Sequence, residues 1–182
     1  MTIKPLTFEE TKGAVREIFE ALKSKIGMVP NLYAVMAKAP AVLNNTLMTS
    51  ENLKDTSLGA KVGEQIAIAV GTANSCGYCV SAHTAIGKMV GVSDSDLEAA
   101  QSGKAQDSKA QAAITLALEL NAHHGYGPNT QGAVQAAKDA GLTEQEVIEV
   151  AGHVAANILT NTVNGIAKTE IDFPEVQIKK AA

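Results

Sequence analysis

Apolar side chains recur every three or four positions along most of this chain, which is the spacing of one face of an α-helix. The first such face consists of Val15, Ile18, Phe19 and Leu22. Thr7 followed by Glu10 forms a capping-box pattern, so we expect these residues to open this helix and Gly27 to end it. The same spacing predicts helices in the rest of the chain.

Helix start signals divide the remaining sequence into further short helices. These helices are expected to begin at or near Asn31, Pro40, Leu58, Gly77, Ser93, Ser108, Thr130 and Thr143. We expect Ser57 to cap the helix that runs from Leu58 to about Asn74. Residues 166–182, which include Asp172-Phe173-Pro174, are predicted to form an extended tail.

The segment Ile66-Ala67-Ile68-Ala69-Val70 is apolar enough to be a buried strand. We interpret it as helix, because it lies in a longer alanine-rich segment without proline and no other segment offers a strand to pair with it. The expected fold class is therefore all-α.

An internal repeat is visible at an offset of fifty positions. Residues 87–94 align with residues 137–144, and each copy comprises the end of a helix, a glycine and the capped start of the next helix. Gly91 and Gly141 fall where left-handed helix ends are expected. We interpret the repeat as duplicated helical hairpins that pack on each other.

The two copies differ at the positions that carry chemistry. Asn129 and Ala133 of the second copy align with Cys79 and His83 of the first, so the chemistry is expected in the first copy. We expect one domain over residues 1–182. It would divide into N-terminal helices (1–56), a first, redox repeat (58–103), a second repeat (108–165) and the tail (166–182).

Composition narrows the class of protein. The chain has 182 residues, of which 46% are hydrophobic and only 3% aromatic, so its core must consist of small aliphatic side chains. The net charge is −4, and no basic stripe indicates nucleic-acid binding. No apolar run is long enough to span a membrane, and the charged N-terminal region does not resemble a signal peptide. We therefore expect a cytoplasmic protein, in which a close cysteine pair is catalytic or metal-binding rather than structural.

The candidate site is the run C-G-Y-C-V-S-A-H, which contains Cys76, Cys79 and His83. In a helix, Cys79 and His83 share one face, so the imidazole can accept a thiol proton. Glu64 lies on an otherwise apolar face of the preceding helix and needs a partner if buried, and His83 is the obvious one. These residues predict a Glu–His–Cys proton relay.

Two rival interpretations of the motif are weaker. Two cysteines, a histidine and a glutamate could bind zinc, but structural zinc sites usually use two separate knuckles and this chain has one. A thioredoxin-type motif follows a strand, whereas this one is predicted to lie between helices. The spacing alone leaves open which thiol attacks: the helix start favours a thiolate at Cys76, and the proximity of His83 favours Cys79.

The spacing E-x11-C-x2-C-x3-H, formed by Glu64, Cys76, Cys79 and His83, resembles the alkylhydroperoxidase D (AhpD) branch of the carboxymuconolactone decarboxylase superfamily. The G-V-S-D-x-D-L pattern after the motif and the late N-T-V-N and T-E-I-D-F-P segments are also similar to that superfamily. Tyr78 is a departure, because some members carry a histidine between the cysteines.

This resemblance implies an all-α fold, homo-oligomers that are often trimers or hexamers, and a thiol peroxidase activity without metal or haem. Cys79 would be the peroxidatic cysteine, Cys76 the resolving cysteine that forms a disulfide with it, and Glu64 and His83 the proton relay. The substrate would be a hydroperoxide, and an external dithiol or lipoyl-type donor would supply electrons. The alternatives are a disulfide reductase or redox relay for a partner protein and, less favoured, a lactone decarboxylase or a metal-binding helical protein.

Several polar residues are assigned structural roles. His123 and His124 are expected to end a helix, and His153 to be a hydrogen-bonded histidine of the core. Asn157, Asn161 and Asn164 fall on helical spacing and are interpreted as satisfying backbone groups at a subunit contact. None of these residues belongs to the predicted catalytic set.

Overall fold

The computed structural model describes residues 1–179, and the regular elements within that range are helices, with no strand among them. The predicted all-α fold class is therefore confirmed. The helices are α1 (Gly13–Ile26), α2 (Asn31–Met36), α3 (Pro40–Asn52), α4 (Gly59–Ala73), α5 (Gly77–Met89), α6 (Asp94–Gln101), α7 (Ser108–His123), α8 (Thr130–Asp139) and α9 (Glu144–Ala167). Residues 180–182 of the predicted tail lie outside the described residues.

The predicted start of the first helix is wrong. The Thr7 N–H does donate to the Glu10 carboxylate at 2.7 Å, but this bond closes a 3₁₀ turn over Phe8–Glu10. The Thr11 backbone is extended and its hydroxyl donates to the Phe8 carbonyl, which competes with helix continuation. Helix α1 begins only at Gly13.

Ser57 does not cap α4, contrary to expectation. Its hydroxyl donates to a carboxylate oxygen of Glu149 at 2.8 Å, and the backbone N–H groups of Ser57 and Leu58 donate to the same carboxylate. A side chain of α9 therefore accepts the free donors at the start of α4. A tertiary contact has replaced the local cap that the sequence pattern indicated.

The two hairpins of the internal repeat end their first helices in the same way. The Val92 N–H donates to the Gly87 carbonyl at 2.9 Å, and the Leu142 N–H donates to the Ala137 carbonyl at 3.0 Å. Gly91 and Gly141, which precede these donors, have φ values of +83° and +99°. The predicted left-handed helix ends are therefore present in both copies.

Helix α4 is the central helix of the fold and packs against α5, α6, α7 and α9. Residues 66–70 are all buried, which explains why this segment is apolar on every side and resembles a buried strand in the sequence. Because α4 and α5 are adjacent and joined by a short turn, their facing side chains come together in the core. This pair of helices positions the candidate site.

The tail runs back along α5 as irregular chain. The Phe173 ring packs edge-on against Tyr78 with 5.7 Å between the ring centroids. The Val176 N–H donates to the Ser81 hydroxyl at 3.0 Å, and Lys179 pairs with Glu98 at 2.7 Å. The tail thus covers the first half of α5. Within residues 1–179, no helix combines the length and apolar character needed to span a membrane.

Candidate redox site

The turn between α4 and α5 brings the motif back against α4. Ser75 adopts a left-handed conformation with a φ of +57°, and the Cys76 N–H donates to the Gly71 carbonyl at 2.8 Å. A Cβ atom at Gly71 would lie 3.4 Å from the Cβ of Cys79, so glycine at this position lets the two helices approach closely. The result is that both cysteines lie in the core between helices.

Cys76 and Cys79 form a disulfide in this structure. Cys76 occupies the N-cap of α5, and its sulfur accepts the Cys79 backbone N–H at 3.3 Å. Cys76 is 7% exposed and Cys79 is 3% exposed, so a reagent that attacks either sulfur must be small or must displace part of the surrounding protein. The predicted position of Cys76 at the helix start is confirmed.

Glu64 and His83 are in direct contact, as the sequence predicts. The Nδ1 atom of His83 lies 2.7 Å from Oε2 of Glu64, and the two side chains are 27% and 18% exposed. Gly87, one turn after His83, makes room for Leu97 of α6, because a Cβ atom there would lie 2.6 Å from Leu97 Cδ2. The carboxylate fixes the ring and leaves Nε2 as the nitrogen that can exchange a proton.

The pKa of His83 reflects two opposed effects. Burial lowers the pKa, while the charge of Glu64 and its hydrogen bond raise it, and the net pKa lies above the usual histidine value. Among the described residues, no hydrogen bond joins His83 to either sulfur. His83 and Cys79 nevertheless lie one turn apart on the same helix, a spacing at which an imidazole can serve as the base for a thiol.

Two residues that contact the sulfurs were missed by the sequence interpretation. The Nδ2 atom of Asn161 lies 2.9 Å from Cys79 Sγ, and Nδ2 of Asn164 lies 3.3 Å from the same atom. The prediction that these two asparagines satisfy backbone groups is therefore wrong, whereas their placement at a subunit contact stays a prediction. Asn157 alone bonds a backbone group, the His153 carbonyl one turn before it in α9. The available signal was a row of amides at helical spacing in an apolar helix.

Tyr78, the residue between the cysteines, anchors neighbouring segments. Its hydroxyl oxygen accepts the Leu32 N–H at 3.3 Å at the start of α2. Asp172 of the tail accepts the adjacent Asn31 N–H at 2.7 Å. Burial raises the pKa of the Tyr78 phenol, and the nearby Asp172 carboxylate raises it further, so Tyr78 stays neutral at physiological pH.

His153 is buried as expected, but the predicted hydrogen bond of its ring is not found among the described residues. Its Nε2 atom has no partner among the described residues. The ring packs against Gly63, where a Cβ atom would lie 2.7 Å from His153 Cε1. Burial lowers the pKa of His153, which outweighs the opposing charges of Glu64 and Glu149. His124 ends α7 in a left-handed conformation, in agreement with its predicted structural role.

The described part of the chain contains no group of three or more His, Cys, Asp and Glu side chains arranged to hold a metal ion. The site residues themselves explain this arrangement. The two sulfurs are bonded to each other and surrounded by amides, whereas the Glu64 carboxylate faces His83. What the geometry offers is a bonded cysteine pair in the same helical hairpin as a carboxylate–imidazole pair.

Residues 36–122, which include all of α4 and α5, match the family model described as the carboxymuconolactone decarboxylase family. The predicted family resemblance is confirmed. The AhpD-like fold is also found in solved structures. An AhpD core protein from Ralstonia eutropha JMP134, described as an uncharacterized peroxidase-related protein, is 22% identical, with a TM-score of 0.81 and 94% coverage of each chain.

Two further solved structures match most of the chain. An uncharacterized peroxidase-related protein from Silicibacter sp. TM1040 is 18% identical, and the match covers 93% of this chain and 92% of that protein with a TM-score of 0.79. A cysteine-to-alanine variant of the debrominase Bmp8, in complex with 2,3,4-tribromopyrrole, is also 18% identical, with a TM-score of 0.77 and coverage of 94% and 92%. At these identities the likeness establishes the fold alone. No curated protein matches the sequence.

Proposed function

We propose that this protein is a thiol-dependent hydroperoxide reductase that uses Cys79 and Cys76 as its redox pair. The observation that carries this proposal is the proximity of a bonded cysteine pair to the Glu64–His83 contact within one helical hairpin. A paired carboxylate orients and charges an imidazole, and an imidazole one helical turn from a thiol can take its proton. The AhpD-like fold is consistent with this chemistry.

In the proposed reaction, His83 takes the Cys79 thiol proton and the thiolate attacks one oxygen of the hydroperoxide. A sulfur–oxygen bond forms as the oxygen–oxygen bond breaks, and the alcohol leaves after taking a proton. The Cys76 sulfur then attacks the Cys79 sulfenic acid, which forms the disulfide, and the hydroxyl leaves as water with the Cys76 proton. An external dithiol is oxidised to its own disulfide as it returns the pair to two thiols.

The burial of the sulfurs favours a small oxidant over a protein disulfide. At 3% and 7% exposure, Cys79 and Cys76 are out of reach of a folded partner's disulfide unless α5 or the tail moves. A hydroperoxide, or the slim dithiol arm of a lipoyl-type donor, requires less displacement. This is why we rank the redox relay for a partner protein second.

Assembly and location belong to the same proposal. Large apolar side chains are exposed at several places on the chain, among them Met89, Tyr126, Ile148 and Ile166. Such side chains suit contacts between copies, so we propose a homo-oligomer, a trimer or hexamer, acting in the cytoplasm without a metal or organic cofactor. Sedimentation of the purified protein measures the assembly directly, and a monomer at micromolar concentration would contradict it.

The decisive experiment is steady-state turnover of an alkyl hydroperoxide with a dihydrolipoyl compound as the electron donor. We expect Cys79→Ser to abolish turnover and the sulfenic acid, and Cys76→Ser to abolish turnover but still form one sulfenic acid per chain. Cys79→Ser with retained turnover would overturn the proposal. A bromopyrrole and a protein disulfide serve as comparison substrates, because faster reaction with either would favour debromination or disulfide relay instead.

A further inference from the structure

Helix α9 places three buried carboxamides, those of Asn157, Asn161 and Asn164, on one side of an otherwise largely apolar helix core. Their exposed fractions are 5%, 8% and 6%, so each side chain must find its partners within the protein. Asn157 bonds its own helix. The other two are directed at the redox pair.

The donors on the two sulfurs are unequal. Cys79 Sγ receives the carboxamide N–H groups of Asn161 and Asn164 at 2.9 and 3.3 Å. Cys76 Sγ receives the Cys79 backbone N–H at 3.3 Å, and its contact with Asn164 is longer, at 3.8 Å. The closer pair of side-chain donors therefore converges on Cys79.

A chain of amides fixes the orientation of Asn161. Its Oδ1 atom accepts Nδ2 of Asn74 at 2.9 Å, at the end of α4. Asn74 also donates to Asn121 of α7 at 2.9 Å, and Asn121 donates back to Oδ1 of Asn74 at the same distance. Reversal of the Asn161 amide would set its oxygen against the sulfur and its N–H groups against those of Asn74. The network thus presents a donor, and not an acceptor, to Cys79.

We propose that Asn161 and Asn164 form a carboxamide cradle that holds Cys79 as a thiolate in the reduced protein, and that Asn74 and Asn121 position Asn161 for this role. The sulfur–hydrogen bond of Cys79 breaks and its proton passes to His83 or to water, with no change in oxidation state. Hydrogen bonds to an ionised acceptor are stronger than those to a neutral one, so donors fixed in place stabilise the thiolate over the thiol.

The carboxamide cradle determines which of the two cysteines is the thiolate. The start of α5 favours a thiolate at Cys76, whereas the two carboxamides favour Cys79. This inference rests on the proposed function only for its consequence, which is that Cys79 is the sulfur that attacks. The thiolate itself can be measured without any peroxide.

The test uses proteins that retain one cysteine. In a Cys76→Ser protein, the rate of alkylation of Cys79 by iodoacetamide is measured against pH, together with thiolate absorbance. Asn161→Leu and Asn164→Leu are each expected to move the midpoint upward by about one pH unit or more. Asn74→Ala should move it in the same direction by less. In a Cys79→Ser protein, Asn161→Leu should leave the midpoint of Cys76 in place.

Asn157→Leu is the matched control, because Asn157 is equally buried in α9 and touches neither sulfur. An unchanged midpoint in folded Asn161 and Asn164 variants would overturn the proposal, as would an equal shift in Asn157→Leu. If Asn161→Leu fails to fold by circular dichroism, Asn161→Ser and Asn74→Ala decide the matter by the same criteria. In the protein with both cysteines, the Asn161 and Asn164 substitutions should also make the reduction potential of the disulfide more negative, because the reduced form loses its stabilisation. Equilibration in a dithiothreitol redox buffer measures this potential.

The outcome separates the two proposals. A midpoint that depends on Asn161 in a protein without hydroperoxide turnover would leave the cradle standing and remove the proposed function. Hydroperoxide turnover together with a midpoint that does not depend on Asn161 or Asn164 would leave the proposed function standing and remove the cradle.

Discussion

Nδ1 of His83 and Oε2 of Glu64 lie 2.7 Å apart, across the interface between the neighbouring helices α5 and α4. This contact opposes the effect of burial, which lowers the pKa of His83, and leaves the pKa above its usual value. Because its pKa is raised, His83 remains protonated, and so unable to act as a base, up to a higher pH than an ordinary histidine. The pH dependence of the reaction should therefore report on this one contact.

Glu64→Gln removes the negative charge but keeps a side chain of similar size. Burial then acts unopposed, so we expect the pKa of His83 to fall and the acid limb of the pH–rate profile to move to lower pH. The plateau should also fall, by about 10-fold or more, because a weaker base takes the thiol proton less readily. Histidine NMR titration and kcat/KM against pH measure the two effects.

Glu119→Gln provides the control for this substitution. Glu119 in α7 is 16% exposed and lies 3.9 Å from His123, so it resembles Glu64 in burial and in having a histidine neighbour. Glu119→Gln should leave the pH–rate profile unchanged. A Glu64→Gln profile that superimposes on the wild-type profile would show that the carboxylate does not act through His83.

The contributions of His83 and His153 to the free energy of unfolding should change in opposite directions as the pH changes. The pKa of His83 is raised in the folded state, so its contribution is complete below the unfolded pKa of about 6.5 and is lost as the pH rises through the folded pKa. The pKa of His153 is lowered, so its neutral form is favoured and its contribution is lost as the pH falls from about 6.5 through the folded pKa.

The stability of the His153→Leu variant relative to the wild-type protein should therefore increase as the pH falls. The variant has no buried group that must take up a proton, and the His153 Nε2 atom that it removes has no partner. Urea unfolding at several pH values between neutrality and the acid limit measures the difference in free energy. A difference in free energy that stays constant with pH for His153→Leu would contradict the assigned burial effect.

The contact between Gly63 and His153 predicts a strong coupling between two substitutions. A Cβ atom at Gly63 would approach His153 Cε1 to 2.7 Å, so Gly63→Ala should destabilise the fold by about 1–3 kcal/mol through overpacking. In a His153→Ala background the clash is absent, and the better helix propensity of alanine should make Gly63→Ala neutral or stabilising by up to about 1 kcal/mol. Chemical denaturation of the four proteins of the cycle gives the coupling, and additive effects would mean that the contact does not limit the packing.

The sequence predicted the site's centre better than its surroundings. Glu64 and His83 could be paired because both lie on helices joined by a short turn, and because a carboxylate on an apolar face needs a partner. Asn161 contacts Cys79 from 82 positions away. An asparagine in a helix has no distinctive spacing to a cysteine in another helix, so only the packing of α9 on α5 reveals the contact.

The wrong start of α1 and the wrong cap of α4 both come from interactions that a local cap pattern does not reveal. The Thr7–Glu10 pattern predicted a real hydrogen bond, but a bond of this kind fixes one turn and does not decide whether the helix continues past Thr11. Ser57 had the right residue type for a cap, yet the Glu149 carboxylate of α9 takes its place. Local patterns predicted which elements exist, but a competing local bond of Thr11 delays the start of α1 and a tertiary contact replaces the predicted cap of α4.

The tail is expected to protect the redox pair through Phe173. Its ring packs edge-on against Tyr78, which lies between the two cysteines in the sequence and in the same apolar cluster. Phe173→Ala should destabilise the fold by about 1–3 kcal/mol, since the ring is only partly buried, and should speed reduction of the disulfide by a water-soluble phosphine.

Phe8→Ala removes another partly buried ring of the cluster, one that packs on Phe19 and Arg16 and not on Tyr78. Both variants should lower the free energy of unfolding, but only Phe173→Ala should accelerate reduction by more than that loss accounts for. Equal acceleration in the two variants would mean that the tail contributes stability alone, and that the disulfide is reached by general opening of the core.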